Sequence, residues 1–153
     1  MLDHLLGVLV TRAGFDLELE TAPGGGGEAE VDAVGRALGG ALAEAFRKQG
    51  AVGLGSGVAP ADEALAQVVL EVSGRPLVTG NVDLSAAHVG GLEKDLLARF
   101  LNALAAEAGL TLHVRLLHGV DTQHVLEAIF KALGLALAQA CRAPKSIRPK
   151  GNE

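Results

Sequence analysis

The chain has 153 residues, 49% of them apolar and only 3% aromatic, with no Trp or Tyr. That is room for one domain, and its core must be built from Leu, Val and Ala. A net charge of −5 excludes a binder of the nucleic-acid phosphate backbone, the lone Cys141 excludes an internal disulfide, and no apolar run approaches the roughly 18 residues of a membrane span.

From the N-terminus, Leu2 to Arg12 carries helical spacing, and Met1-Leu2-Asp3-His4 has no cationic leader, so a cytoplasmic protein is expected. Phe15, Leu17 and Leu19 then alternate with Asp16, Glu18 and Glu20, which predicts a strand over 15–21. A second helix is expected near 30–47. The glycine-rich stretches 24–27 and 50–57 on either side of it read as flexible connectors, neither with the Lys-Ser/Thr ending of a phosphate-binding loop. Residues 66–72 and 76–82 read as a strand pair joined at Ser73-Gly74-Arg75-Pro76. Beyond it, Leu92, Leu96, Leu97, Phe100, Leu101 and Leu104 mark a helix that Gly109 ends as a left-handed cap. Leu110, Leu112, Val114 and Leu116 alternate as a strand, and 122–142 return to helical period through Val125, Ile129, Phe130, Leu133 and Leu137.

These elements repeat. Sliding the sequence by 95 residues aligns 2–47 with 97–142 without a gap: Leu6 falls on Leu101, Ala13-Gly14 on Ala108-Gly109, Leu17 on Leu112, and Ala37-Leu38-Gly39 on Ala132-Leu133-Gly134. One domain over 1–153 is expected, with repeats 1–58 and 59–145 and a basic tail at 146–153. The class is α/β (a two-layer α+β arrangement) of duplicated β-β-α-β-α half-domains, the first copy lacking its leading strand pair. An edge left open in this way can pair with another chain.

His124 and Glu127 stand three apart on the last helix, where an imidazole and a carboxylate can reach one cation. The segment around them, Gly119-Val-Asp-Thr-Gln-His-Val-Leu-Glu-Ala-Ile-Phe-Lys131, resembles the second metal-binding motif of the imidazoleglycerol-phosphate dehydratase family. Leu2-Asp3-His4-Leu5-Leu6 is similar to that family's Asp-His-Met-Leu, and Pro60-Ala-Asp-Glu-Ala-Leu-Ala66 to its Pro-Met-Asp-Glu-Ala-Leu-Ala. Ser73-Gly74-Arg75-Pro76 and Ala108 to Val114 match further family segments, all in the right order. The resemblance implies a fold like the second domain of ribosomal protein S5, assembled into a cytoplasmic homo-oligomer with manganese at subunit interfaces. It implies a small-molecule phosphate substrate, dehydrated in histidine biosynthesis, and no nucleic-acid or membrane partner. Manganese held by imidazoles and a carboxylate would favour the substrate's imidazole as an anion and so assist C–H and C–O cleavage.

The sequence also departs from the family. Where the first metal motif has His-His-x-x-Glu-Asp, this chain has Glu28-Ala29-Glu30-Val31-Asp32-Ala33; the leading His of the second motif is Gln123; and Arg99 stands where a His is expected. The repeat supports this register, since Ala29 falls on His124, Asp32 on Glu127 and His4 on Arg99. The family's terminal Ser-Thr is replaced by Arg148-Pro149. The resemblance leaves His4, Asp32, His124 and Glu127 as metal ligands and Arg75 and Lys150 as substrate-binding groups. Three readings stay open: a dehydratase-like protein with impaired or absent activity, an active metal-dependent hydro-lyase with a single reduced metal site across a subunit interface, and a structural or oligomerisation module.

Overall fold

In the computed structural model, residues 1–20, 27–48, 50–82 and 96–147, with 149 and 151, are described. Four helices, α1 (Leu2–Ala13), α2 (Glu28–Lys48), α3 (Leu96–Ala108) and α4 (Thr122–Ala140), accompany four strands, β1 (Leu54–Ala61), β2 (Ala64–Val72), β3 (Leu77–Gly80) and β4 (Leu110–His118). The strands form one sheet in the order β1-β2-β4-β3. β1, β2 and β4 pair antiparallel, and β3 joins β4 in parallel. Helix α4 covers β1 and β2, α1 packs on α4, and α2 packs on α3. No helix among the described residues is long and apolar enough to cross a membrane.

The duplication is visible in the packing. In α4, a side chain at Gly134 would put its Cβ 2.4 Å from the carbonyl oxygen of Leu9 in α1. Ninety-five residues away, a Cβ at Gly39 in α2 would lie 2.8 Å from the carbonyl oxygen of Leu104 in α3. Leu9 and Leu104 are repeat partners, and so are Gly39 and Gly134. Each half therefore contributes one helix to each of two equivalent close contacts. Gly14 and Gly109, again partners, end α1 and α3, both at φ 69°. Phe100 and Phe130 meet at the centre of the core, with ring centroids 5.2 Å apart.

Three expectations need correction. The stretch 50–57 is a connector only at its start, for β1 begins at Leu54, within the first repeat as drawn. The inward-facing residues of β1 are Gly55, Gly57, Ala59 and Ala61, whereas Leu54 and Val58 point to solvent. The usual cue of large apolar residues facing inward is thus reversed. The reason is α4: a Cβ at Gly55 would stand 1.9 Å from the carbonyl oxygen of Ala136, and one at Gly57 2.3 Å from that of Ala132. Glycine is required here by the approach of a helix backbone.

The second correction concerns 76–82. Strand β3 does not pair with β2, whose hairpin partner is β1. The third is the strand expected over 15–21. Residues 15–20 alternate as foreseen, with Phe15, Leu17 and Leu19 half-buried and the acids exposed, yet they pair with no strand among the described residues. Their repeat partners lie in β4, flanked on both sides by strands. A matching contrast runs along the helices. Ala128, Ala132, Ala136 and Ala140 of α4 are fully buried. Their partners Ala33, Ala37 and Ala41 in α2 are exposed and Ala45 is half-buried, the first copy having no strand pair on that face among the described residues.

Gly55→Ala should cost about 3 kcal/mol by forcing α4 from β1. Gly7→Ala, with nothing within 4 Å of the added Cβ, should instead stabilise by up to about 1 kcal/mol. Denaturant midpoints for the two variants check both signs.

Candidate functional site

The polar groups gather at one end of the sheet, where the β1–β2 turn meets the start of α4. Asp121 caps α4, its carboxylate accepting from the backbone N–H groups of Gln123 (2.9 Å) and His124 (3.1 Å). The two-residue turn Asp62-Glu63 holds Asp62 at φ 50°, as primed hairpin turns require at their first position. This turn aims Glu63 at the helix start. Its Oε1 accepts from the N–H of Asp121 (2.8 Å) and Val120 (3.3 Å), and its Oε2 lies 2.6 Å from His124 Nδ1. His124 Nε2 is 3.2 Å from Asp62 Oδ2.

These contacts set the charges. The N–H of Asp121 first, and His124 second, bring the Glu63 carboxyl down to about 2. Glu63 in turn raises His124 above its ordinary 6.5. A carboxylate on one ring nitrogen is how a ligating histidine is usually oriented, although here Asp62 also faces Nε2.

One turn along α4, Glu127 Oε1 lies 2.9 Å from His4 Nε2 on α1. The repeat turns this into a pair of pairs. His4 and Glu127 correspond to Arg99 and Asp32, and Arg99 Nη1 donates to Asp32 Oδ2 at 3.0 Å. Arg99 Nη2 also donates to Glu28 Oε2 at 2.8 Å. At one pseudo-equivalent position an imidazole meets a carboxylate; at the other a guanidinium spans two.

Comparisons with known proteins point to one family. The family profile for imidazoleglycerol-phosphate dehydratase matches residues 1–137. The chain belongs to the imidazoleglycerol-phosphate dehydratase family. It is 43% identical over 148 residues to the dehydratase of Syntrophobacter fumaroxidans, covering 92% of this chain and 73% of that one. It is 38% identical to that of Acetivibrio thermocellus, covering 95% and 76%. The crystal structure of the Staphylococcus aureus dehydratase superposes with a TM-score of 0.85 at 35% identity, over 94% of this chain and 83% of that one. That of the Pyrococcus furiosus protein gives 0.78 at 27% identity, over 97% and 83%.

Against the family's motifs, the four candidate ligands fall into three places. His4 and Glu127 are in contact, His124 is held by Glu63 beside them on the same helix face, and Asp32 is engaged by Arg99. Among the described residues of one chain, no three His, Cys, Asp or Glu residues are grouped as a metal ion needs. The donors at the α1–α4 end fit a divalent ion in type, imidazole with carboxylate, but only with further donors from outside the chain. The Asp32 end does not fit, because a guanidinium fills it. Arg75 sits at the far end of β2, roughly 27 Å along the strand from Glu63. There its backbone carbonyl and N–H bond Thr111 and Ser73. Lys150 lies outside the described residues.

In the sequence Glu63 stands out only as part of the Pro60–Ala66 segment; its role depends on the hairpin, which the glycines of β1 concealed. Arg12 and Lys131 were also missed. With His4, Gly7, Val8 and Thr11 they line an open depression of about 350 Å³. Their separation in sequence gave no signal.

Because Glu63 binds its proton more weakly folded than unfolded, its contribution is full above about 4.5 and is lost as pH falls through about 2. His124 behaves oppositely: its contribution is full below 6.5 and is lost as pH rises through its elevated folded value. In Glu63→Gln, the His124 ring should titrate nearer its ordinary value than in the parent, as read by NMR of the imidazole protons.

Proposed function

We propose that this chain is a dehydratase-family protein of histidine biosynthesis, acting in the cytoplasm as a homo-oligomer, whose own dehydration activity is impaired or lost. The observation that carries this reading is the unequal pair of positions. His4–Glu127 keeps donors that a metal ion can use, and Arg99–Asp32 has a cation of its own. Two-metal chemistry needs both positions open, and the second would set an incoming ion against a guanidinium.

The residues that remain would still bind and orient an anionic substrate. Arg12 and Lys131 beside His4 offer positive charge to a phosphate, and Arg75 and Lys150 are further candidates contributed by neighbouring copies. Manganese, where bound, would supply Lewis-acid stabilisation of negative charge on the substrate's imidazole. His4, His124 and Glu127 are the residues of this chain proposed to face it; Asp32, the fourth candidate, is taken up by Arg99. Self-association is part of the proposal, because donors grouped in twos need a second copy to complete a coordination shell.

A second reading is favoured by the Glu63–His124 contact. A carboxylate orienting an imidazole is the support a working metal ligand has, so a single reduced site across a subunit interface would leave an active hydro-lyase.

Titration of the metal-stripped protein with manganese, followed by a turnover assay on imidazoleglycerol phosphate, separates the readings. One ion or none per chain, with turnover depressed at least about a hundredfold, is expected for the loss of a ligand set. Two tightly held ions per chain with turnover at ordinary enzyme rates would sink the proposal; one ion with such rates would establish the second reading.

A further inference from the structure

We infer that Arg99 is a built-in cation occupying the position that pseudo-symmetry reserves for a bound ion, so that this half of the molecule holds together without metal. This inference rests on the proposed reading of the His4–Glu127 end as an ion site.

Its basis is the correspondence of three positions at once. Under the 95-residue offset, His4 maps to Arg99, Glu127 to Asp32 and Gln123 to Glu28. The helices carrying them pack through the equivalent contacts Leu9–Gly134 and Leu104–Gly39, so the two sites share a backbone frame. On that frame, the end with an imidazole has one carboxylate and one amide. The end with a guanidinium has two carboxylates. Glu28 and Asp32 stand four apart on the first turns of α2, where they repel each other unless a cation lies between them. Arg99 is that cation. Its Nη1 and Nη2 take one carboxylate each, at 3.0 and 2.8 Å, and its side chain is only 37% exposed.

Chemistry explains why an arginine there excludes an ion. The guanidinium has no lone pair to offer, and its planar fork uses the carboxylate oxygens that a metal would need. A divalent ion reaching the same oxygens would sit about 4 Å from a fixed positive charge. An imidazole at the equivalent position has a ring-nitrogen lone pair to offer, and so is a donor in type. The two halves thus differ in kind: one end can take up an ion, the other carries its counterion in the chain.

The test restores the imidazole. In a His4→Ala/His124→Ala background, which removes the donors of the other end, adding Arg99→His should create a divalent-ion response. Saturating manganese should raise the melting temperature by roughly 3 °C or more, against less than about 1 °C in the background alone. No gain from Arg99→His would overturn the inference, since the position would then not be equivalent to an ion site. An equal rise in the background would overturn it too, since an ion would then bind with Arg99 present. Should the triple variant fail to fold, zinc titration of the unmodified protein by NMR decides. The backbone amides of Glu28 and Asp32 are expected to stay within experimental error of their metal-free shifts; movement there would overturn the inference.

Discussion

The structure depends on two places where helices touch backbone to backbone. Gly134 of α4 lies against the Leu9 carbonyl of α1, and Gly39 of α2 against that of Leu104 in α3. Contact this close fixes helix register, because a shift of one residue would bring a side chain into a space that admits none. Once register is fixed, the side chains five residues before each leucine and seven before each glycine must meet. Those positions are His4 with Glu127 and Arg99 with Asp32. The polar pairs are consequences of an apolar constraint, and the constraint is indifferent to whether an imidazole or a guanidinium arrives. This is how the two halves can share geometry and differ in chemistry.

Helix α4 joins the frame to the polar end. One face, Ala128, Ala132, Ala136 and Ala140, is small enough to lie on the glycines of β1, and that approach brings the β1–β2 turn under the helix N-terminus. Glu63 on the turn then accepts from two backbone N–H groups that α4 and its lead-in leave unpaired, while holding His124. Each contact at this end alone is modest, being near solvent. Together they fix one imidazole relative to another, since His124 and Glu127 share a helix turn and Glu127 meets His4. Edge strand β1 is tied in as well: the Ser56 N–H donates to Gln139 Oε1 of α4 at 2.7 Å, leaving that donor unavailable to a stray strand.

Much of this was legible in the sequence, and what was not has specific causes. The four helices and β2 and β4 follow from periodicity, because their inward faces carry large apolar side chains. The 95-residue repeat aligned Leu9 with Leu104 and His4 with Arg99; the contacts they make came from the structure. Strand β1 was hidden because its buried face is Gly-Gly-Ala-Ala, a pattern that has meaning only once α4 lies on it. Strand β3 was visible as a strand but not in its pairing, because adjacency in sequence favours a hairpin and the parallel bond to β4 is a long-range choice. Residues 15–20 have the alternation of a strand without the neighbours that make one. Local pattern specifies which face is apolar; partners decide whether a ladder forms. Among the site residues, Glu127 and His124 were readable from spacing, whereas Glu63 required the hairpin and the release of Asp32 from candidate ligand to ion-pair partner required α3.

The unequal halves bear on what such a protein can respond to. An imidazole facing a carboxylate is a responsive pair: both members are donors for which a metal ion can compete. A guanidinium facing two carboxylates is not, since it offers no lone pair and occupies the oxygens an ion would use. In a frame whose helix pairs share one close backbone contact, placing one of each leaves the pair that an ion can use at the α1–α4 end. The α2–α3 end carries its own counterion, Arg99 donating to both Asp32 and Glu28. Arginine at position 99 therefore does more than delete a ligand: it replaces a bond that depends on supply with one that travels with the chain.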